Sequence, residues 1–322
     1  SDMEAASHQT RAERQSIWLR LPWDGEPKAD FLVPVAEPWM LLGMVALAAH
    51  PKASYALVEV SGGPGTAEQG GQPPARLILA EAALGRGLAG EYRLVRRLKA
   101  RALRGAGYSP PFTFLPAGKG IHQVLLDESV PVEDGTGLLA VTPAYDGRSL
   151  AMAGAHGLPM PELLDDWGRL DQTIRPWRGL SPLGAEAVIV DNLRERGLVH
   201  EEQQEMQVKA LCPHCETPLL TLARNVWLAE TASGPWIVGR NRVWGVPLPV
   251  WACTACGEEL CLAGLDDLAH RTGLDAGTID PHRPSVDHLT FPCAACGGTM
   301  RRVPPVLDPA FETAVLSLVT AP

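Results

Sequence analysis

Short runs of apolar and β-favouring residues, punctuated by Gly and Pro clusters, set the pattern of the first half of the chain. Residues 16–21, 55–60, 76–80, 91–98, 122–126 and 137–142 each read as a strand. Segment 61–74 has no periodic apolar pattern and reads as a flexible hairpin loop. Strands spaced in this way predict a barrel or a strongly curved sheet. Helical patterns interrupt the strands at 40–49 and 184–196. In the second, Ala187, Val188, Ile189, Val190 and Leu193 supply an apolar face, Glu195 and the arginines a wet one, and Gly197 a stop. The fold class is therefore α+β. Beyond about residue 200 the strand pattern gives way to Cys-x-x-Cys pairs and a Trp- and Pro-rich connector. The boundary is placed near 201–207, giving a flexible tail over 1–15, a β-rich domain over 16–200 and a cysteine module over 201–322.

Composition narrows the functions open to such a chain. With 322 residues and 46% hydrophobic content it can bury a real core. The formal charge of -9 argues against a surface that grips nucleic acid throughout, so no DNA partner is expected and any RNA contact needs a local basic patch. One patch exists: Arg93, Arg96, Arg97, Lys99, Arg101 and Arg104 lie within twelve residues that contain no acid. It is either a phosphate-binding surface or a solvated strand and helix edge. No run of eighteen apolar residues occurs and the first fourteen residues lack a signal-peptide core, so no membrane partner and a cytoplasmic location are expected.

Six of the seven cysteines form Cys-x-x-Cys pairs, which suits metal binding in a reducing compartment. Cys253/Cys256 and Cys293/Cys296 are each followed by glycine, the pattern of a knuckle whose backbone N–H groups turn toward thiolates. Two knuckles complete a tetrahedral S4 site for zinc, and four protein ligands leave no position for a reacting water, so the ion is structural. Cys212 and Cys215 make a possible second site that needs two further ligands, or else remain metal-free.

The run Glu133-Asp134-Gly135-Thr136-Gly137-Leu138-Leu139-Ala140-Val141-Thr142-Pro143-Ala144-Tyr145, followed by His156-Gly157-Leu158-Pro159, resembles the heart of the editing domain of isoleucyl-, valyl- and leucyl-tRNA synthetases. Those domains hydrolyse mischarged aminoacyl-tRNA. Ser16-Ile17-Trp18-Leu19-Arg20-Leu21-Pro22 resembles the first editing-domain strand of the isoleucine enzyme, and Pro38-Trp39 its threonine-rich segment. Leu211-Cys212-Pro213-His214-Cys215, Trp244-Gly245-Val246-Pro247 and Arg301-Arg302-Val303-Pro304 resemble its zinc-bearing return to the catalytic core. The resemblance implies a β-barrel-like class Ia editing (CP1) domain with an appended zinc module. It also implies that the partner cysteines of Cys212 and Cys215 come from before the editing domain. Neither an HIGH-like nor a KMSKS-like signature occurs, so amino-acid activation and an ATP or other nucleotide cofactor are not expected.

The chain departs from that pattern where hydrolysis is done. Ser149, with Arg148 beside it, falls where the family has the aspartate that holds the substrate α-ammonium. Ala140 replaces a histidine; Val35, Ala36, Glu37 and Met40 fall on water-directing threonines. Asp134, Gly135, Thr136 and Gly137 are kept, and in the family this turn lies against the terminal adenosine of tRNA. Loss of the carboxylate cripples family-type hydrolysis. A drier pocket beside an aminoacyl ester favours another attacker.

The resemblance thus implies an aminoacyltransferase that moves an aminoacyl group, isoleucyl or similar, from tRNA to a nitrogen of a small-molecule acceptor, of the kind recruited in natural-product biosynthesis. Glu37 is the expected proton acceptor, or a surface glutamate at a helix start. Asp146 is a substitute ammonium anchor and Arg148 a clamp for acidic groups on the acceptor. Trp39, His156, Arg96, Arg97 and Arg101 complete the expected tRNA contacts. A deacylase that clears mischarged tRNA and a non-catalytic tRNA-binding module are the alternatives.

Overall fold

The computed structural model describes residues 8–60, 75–85, 88, 91–115, 118, 120–133, 135–165, 167–213, 215–224, 226–231, 234–240 and 245–319. The expected hairpin loop 61–74, and Asp134, lie outside them. The chain divides into two compact units, Ser1–Ala223 and Arg224–Pro322.

In the first unit the strands are β1 (Gln9–Pro22), β2 (Ala29–Val35), β3 (Ala46–Ala49), β4 (Ser54–Val60), β5 (Ala75–Ala80), β6 (Tyr92–Lys99), β7 (Val124–Leu126), β8 (Leu138–Val141) and β9 (Val199–Ala210). Six make a mixed sheet in the order β6-β4-β5-β2-β1-β9, and a separate sheet runs β7-β3-β8. The six-stranded sheet is open, with β6 and β9 at its edges, which corrects the expected barrel. Both its faces are covered. Ile17, Leu19, Leu21, Phe31, Val33 and Leu57 fill one core, while Trp18, Leu32, Ala56, Val58 and Leu77 fill another. Burial on both sides explains why these strands read as nearly continuous apolar runs.

Three expectations change, and one helix appears where the sequence reading placed no element. Residues 9–15 are not a tail, because they continue β1 and pair with 204–210 of β9. The compact boundary moves to 223/224 for the same reason: β9 is the sheet's edge strand, although its polar sequence shows no strand signal. The helix expected over 40–49 is a short 3-10 turn, Pro38–Gly43, followed by β3. An apolar run buried all round carries no period that separates helix from strand, and here pairing with β7 and β8 decides. Finally, 147–156 is a helix. Asp146 caps it, accepting from the Ser149 N–H at 2.8 Å, and Gly157 ends it in the left-handed region.

The helix expected at 184–196 spans Pro182–Glu195. Ser181 caps its start through a 3.1 Å bond from the Gly184 N–H, and Pro182 stands at its first position. Ile189 and Leu193 bury against the core. The second unit holds a four-stranded antiparallel sheet built on Val250–Cys253 and Thr299–Arg302, with its own small core around Trp251, Leu268, Phe291 and Met300. Among the described residues no helix is long and apolar enough to cross a membrane.

Candidate acyl-binding site and metal centre

The kept turn Gly135–Gly137 sits where β8 begins, beside β2. Gly135 and Gly137 both have positive φ, 67° and 72°. A Cβ on Gly135 would stand 2.9 Å from Pro34 Cγ, and one on Gly137 only 2.4 Å from Ala80 Cβ. Glycine is therefore required twice over, by dihedral and by space. The Ala80 N–H donates to the Thr136 carbonyl at 2.8 Å. The Tyr55 hydroxyl donates to the Gly137 carbonyl and accepts from the His50 N–H, each at 2.8 Å. Burial pushes the Tyr55 phenol up to about 12, so it stays a donor at neutral pH. Pro34, Tyr55 and Ala80 were missed by sequence reasoning, because each lies inside a strand and looks like ordinary core.

Three residues beyond Pro34, Glu37 opens the 3-10 turn. Trp39 is 1% exposed, and its indole N–H donates to Glu37 Oε2 at 3.1 Å. The ring lies 4.6 Å from that of Tyr145, next to the helix cap Asp146. Glu37 is thus linked through Trp39 and Tyr145 to the start of the Gly147–His156 helix. Its environment differs from the dry one expected, since Lys209 of β9 forms an ion pair with Oε1. Nothing near Glu37 in the sequence signals a lysine 172 positions away.

Ser149 is fully buried, and its hydroxyl has no hydrogen-bond partner among the described residues; the Thr136 hydroxyl shares both properties. Buried hydroxyls left unpaired are costly, which makes them places where a ligand is stabilising. Arg148 is exposed. His156 lies seven residues past Ser149, about 10 Å along the helix axis. There its Nε2 stands 3.7 Å from Asp127, so the structure does not bring it to Ser149.

Half of the basic patch is paired with acids. Arg93 pairs with Glu59 at 2.8 Å, Arg96 with Glu26 at 2.5 Å and Arg97 with Glu81 at 2.5 Å. The acids missing from the segment itself arrive from other parts of the chain. Lys99, Arg101 and Arg104 have no ion pair among the described residues. If RNA binds here, replacing Arg101 and Arg104 by alanine should lower the slope of log affinity against log salt by roughly one unit per lost phosphate contact. Replacing Arg96 and Arg97 should change it much less, and a filter-binding titration compares the two.

In the second unit, Cys253, Cys256, Cys293 and Cys296 place their sulfurs within 4.8 Å of one another. The Cys253 N–H donates to the Glu258 carbonyl at 2.8 Å, and the Gly257 N–H to the Cys253 carbonyl at 3.1 Å. The second loop repeats this, with Cys293 to Gly298 at 2.6 Å and Gly297 to Cys293 at 2.9 Å. The Ala255 and Gly298 N–H groups face the sulfurs of Cys253 and Cys296, each at 3.4 Å. Backbone N–H groups of Cys256 and Ala255 bring the Cys253 thiol down to about 6. Gly298 is confined: a Cβ there would meet Ala255 Cβ at 2.8 Å and Cys253 Sγ at 3.0 Å. Four thiols on two such loops fit a soft, tetrahedral divalent ion.

Cys212 and Cys215 form a third loop of the same kind. The Cys212 N–H donates to the Thr217 carbonyl and the Glu216 N–H to the Cys212 carbonyl, both at 2.9 Å. Glu216 has φ 56°, the conformation Gly257 and Gly297 adopt in the other two. Among the described residues no further metal-binding group gathers around it.

The family described as tRNA synthetases class I (I, L, M and V) matches residues 188–321. The chain is a homologue of the isoleucine-tRNA ligases. It is 32% identical to the enzyme of Thermus thermophilus and 27% identical to that of Clostridium novyi, over 98% and 97% of its own length. It spans 32% of each of those proteins. Among solved structures, the editing domain of P. knowlesi cytosolic leucyl-tRNA synthetase superposes with a TM-score of 0.42 and 8% identity, covering 62% of this chain and 98% of that one.

Proposed function

We propose that the first unit binds the charged 3′ end of an aminoacyl-tRNA and transfers its aminoacyl group to a nitrogen nucleophile of a small acceptor. The observation that carries this reading is Ser149, a buried hydroxyl unpartnered among the described residues, standing where the synthetase pattern has a carboxylate. The acceptor nitrogen attacks the ester carbonyl carbon, a C–N bond forms, and the tetrahedral intermediate expels the ribose oxygen. The nitrogen's proton leaves through a base and returns to that oxygen.

Glu37 is the proposed base; to accept a proton it must exchange its contact with Trp39 or with Lys209. Asp146 uses Oδ2 as the helix cap, which leaves Oδ1 for the substrate ammonium. Exposed Arg148 is proposed to meet acidic groups on the acceptor. The Gly135–Gly137 turn and Asp134 are proposed to contact adenosine. Isoleucyl- or valyl-tRNA is the proposed donor, and one methylene discriminates these by only about 1–3 kcal/mol. Zinc is proposed for the four-cysteine centre, with Cys212 and Cys215 as half of a second site.

Incubation of the chain with labelled isoleucyl-tRNA, with and without a panel of amines, tests the reading. Label appearing on an amine supports transfer, whereas amino acid released in plain buffer at the same rate with or without amine overturns it in favour of editing. Retention without turnover leaves only a binding module. Glu37→Gln should lower amine-dependent turnover by on the order of 10²–10⁴-fold. Unchanged turnover would remove Glu37 from the mechanism.

A further inference from the structure

The first unit also holds a cleft of about 500 Å3 that none of the acyl-site residues lines. Its floor is aromatic. Phe112 and Phe114 stack at 5.7 Å with planes 16° apart, and Trp177 meets them edge-on at 5.5 and 6.1 Å. Phe112 is buried, whereas Phe114 and Trp177 are half-buried and keep ring surface open to the cleft. The facing wall is the last turn of the Pro182–Glu195 helix, which contributes Asn192 and Glu195.

Two features place negative charge at the helix end of this cleft. The final carbonyls of a fourteen-residue helix concentrate partial negative charge there. Glu195 then adds a full carboxylate at the end of the helix where the dipole disfavours one, and it has no ion pair among the described residues. Neither neighbouring arginine pairs with Glu195, although Arg196 lines the cleft. Arg194 bonds Asp191 and Glu202. Arg196 donates to the Pro111 carbonyl at 2.6 Å and covers the Phe112 ring at 5.7 Å.

An unpartnered carboxylate beside open aromatic faces matches a ligand that is cationic at one end and apolar along its body. We infer that the cleft between the aromatic floor and the Glu195 end of the helix binds an organic ammonium ion with an aromatic or aliphatic body. The ammonium pairs with Glu195, and the body lies on Phe114 and Trp177. The inference stands without the acyl-transfer reading and fails independently of it.

The test uses the full chain titrated with phenethylammonium and with its neutral analogue 2-phenylethanol, followed at the Trp177 indole N–H by NMR and assigned with Trp177→Phe. The cation should bind about tenfold more tightly than the alcohol. Glu195→Gln should reduce that preference to within about twofold. Val188→Lys places a competing ammonium on an exposed position of the same wall, and should abolish binding without moving the melting temperature. Equal affinity for the two probes overturns the inference, as does an unaltered preference in Glu195→Gln. Tighter binding of adenosine monophosphate at the same indole also overturns it, in favour of a nucleobase platform.

Discussion

Cys253→Ser should unfold the second unit while leaving the first intact. Cys253 is buried at the end of a central strand, and its sulfur lies 3.5 Å from that of Cys296. The small core of this unit includes Cys253 and Cys293 themselves. A structural zinc ion contributes about 10–16 kcal/mol in small domains of this kind, more than such a core retains as net stability. Loss of one thiolate removes much of that and leaves the remaining thiols crowded. Trypsin digestion followed by mass spectrometry should show cleavage confined to 224–322, and metal analysis should show one zinc fewer per chain. Chelation of the wild-type protein should reproduce the pattern. A second unit that stays resistant after complete metal removal would show that its packing suffices alone.

Gly137→Ala should be the most damaging single methyl in the first unit. The residue needs φ 72°, and the added carbon would sit 2.4 Å from Ala80 Cβ, with no flexible side chain to yield. The left-handed conformation and the overpacking together cost roughly 2–5 kcal/mol. For a unit of this size that is a fall in melting temperature of about 5–15 °C. Adding Ala80→Gly removes the clash but not the dihedral cost, so the double variant should recover part of the loss. No recovery would mean the close approach to Ala80 is not what confines the turn. Because Tyr55 bonds the Gly137 carbonyl, the damage should spread to β4 and appear as faster amide exchange there.

The apolar parts of β1, β4 and β5 were legible because burial on both faces makes their runs dense, whereas β2 was not read and β3 was read as helix. The Pro182–Glu195 helix was legible because it carries a cap, an amphipathic face and a stop. What escaped was non-local. The polar run of β9 is a strand only because β1 pairs with it, and Arg96 and Arg97 look like free cations until Glu26 and Glu81 come beside them. The four-cysteine cluster was readable from spacing alone, since the two-residue gap fixes the loop. At the candidate site the glycines were readable as a motif, but Tyr55, Ala80 and Lys209, which pack or pair there, became visible only after folding.

The three cysteine loops share one backbone pattern, and the Cys212 loop closes its two hydrogen bonds with no second pair beside it among the described residues. Each loop is thus a self-sufficient claw, wound by its own peptide groups. Where two claws face one another, an ion ties one to the other, and with them the strands that carry them.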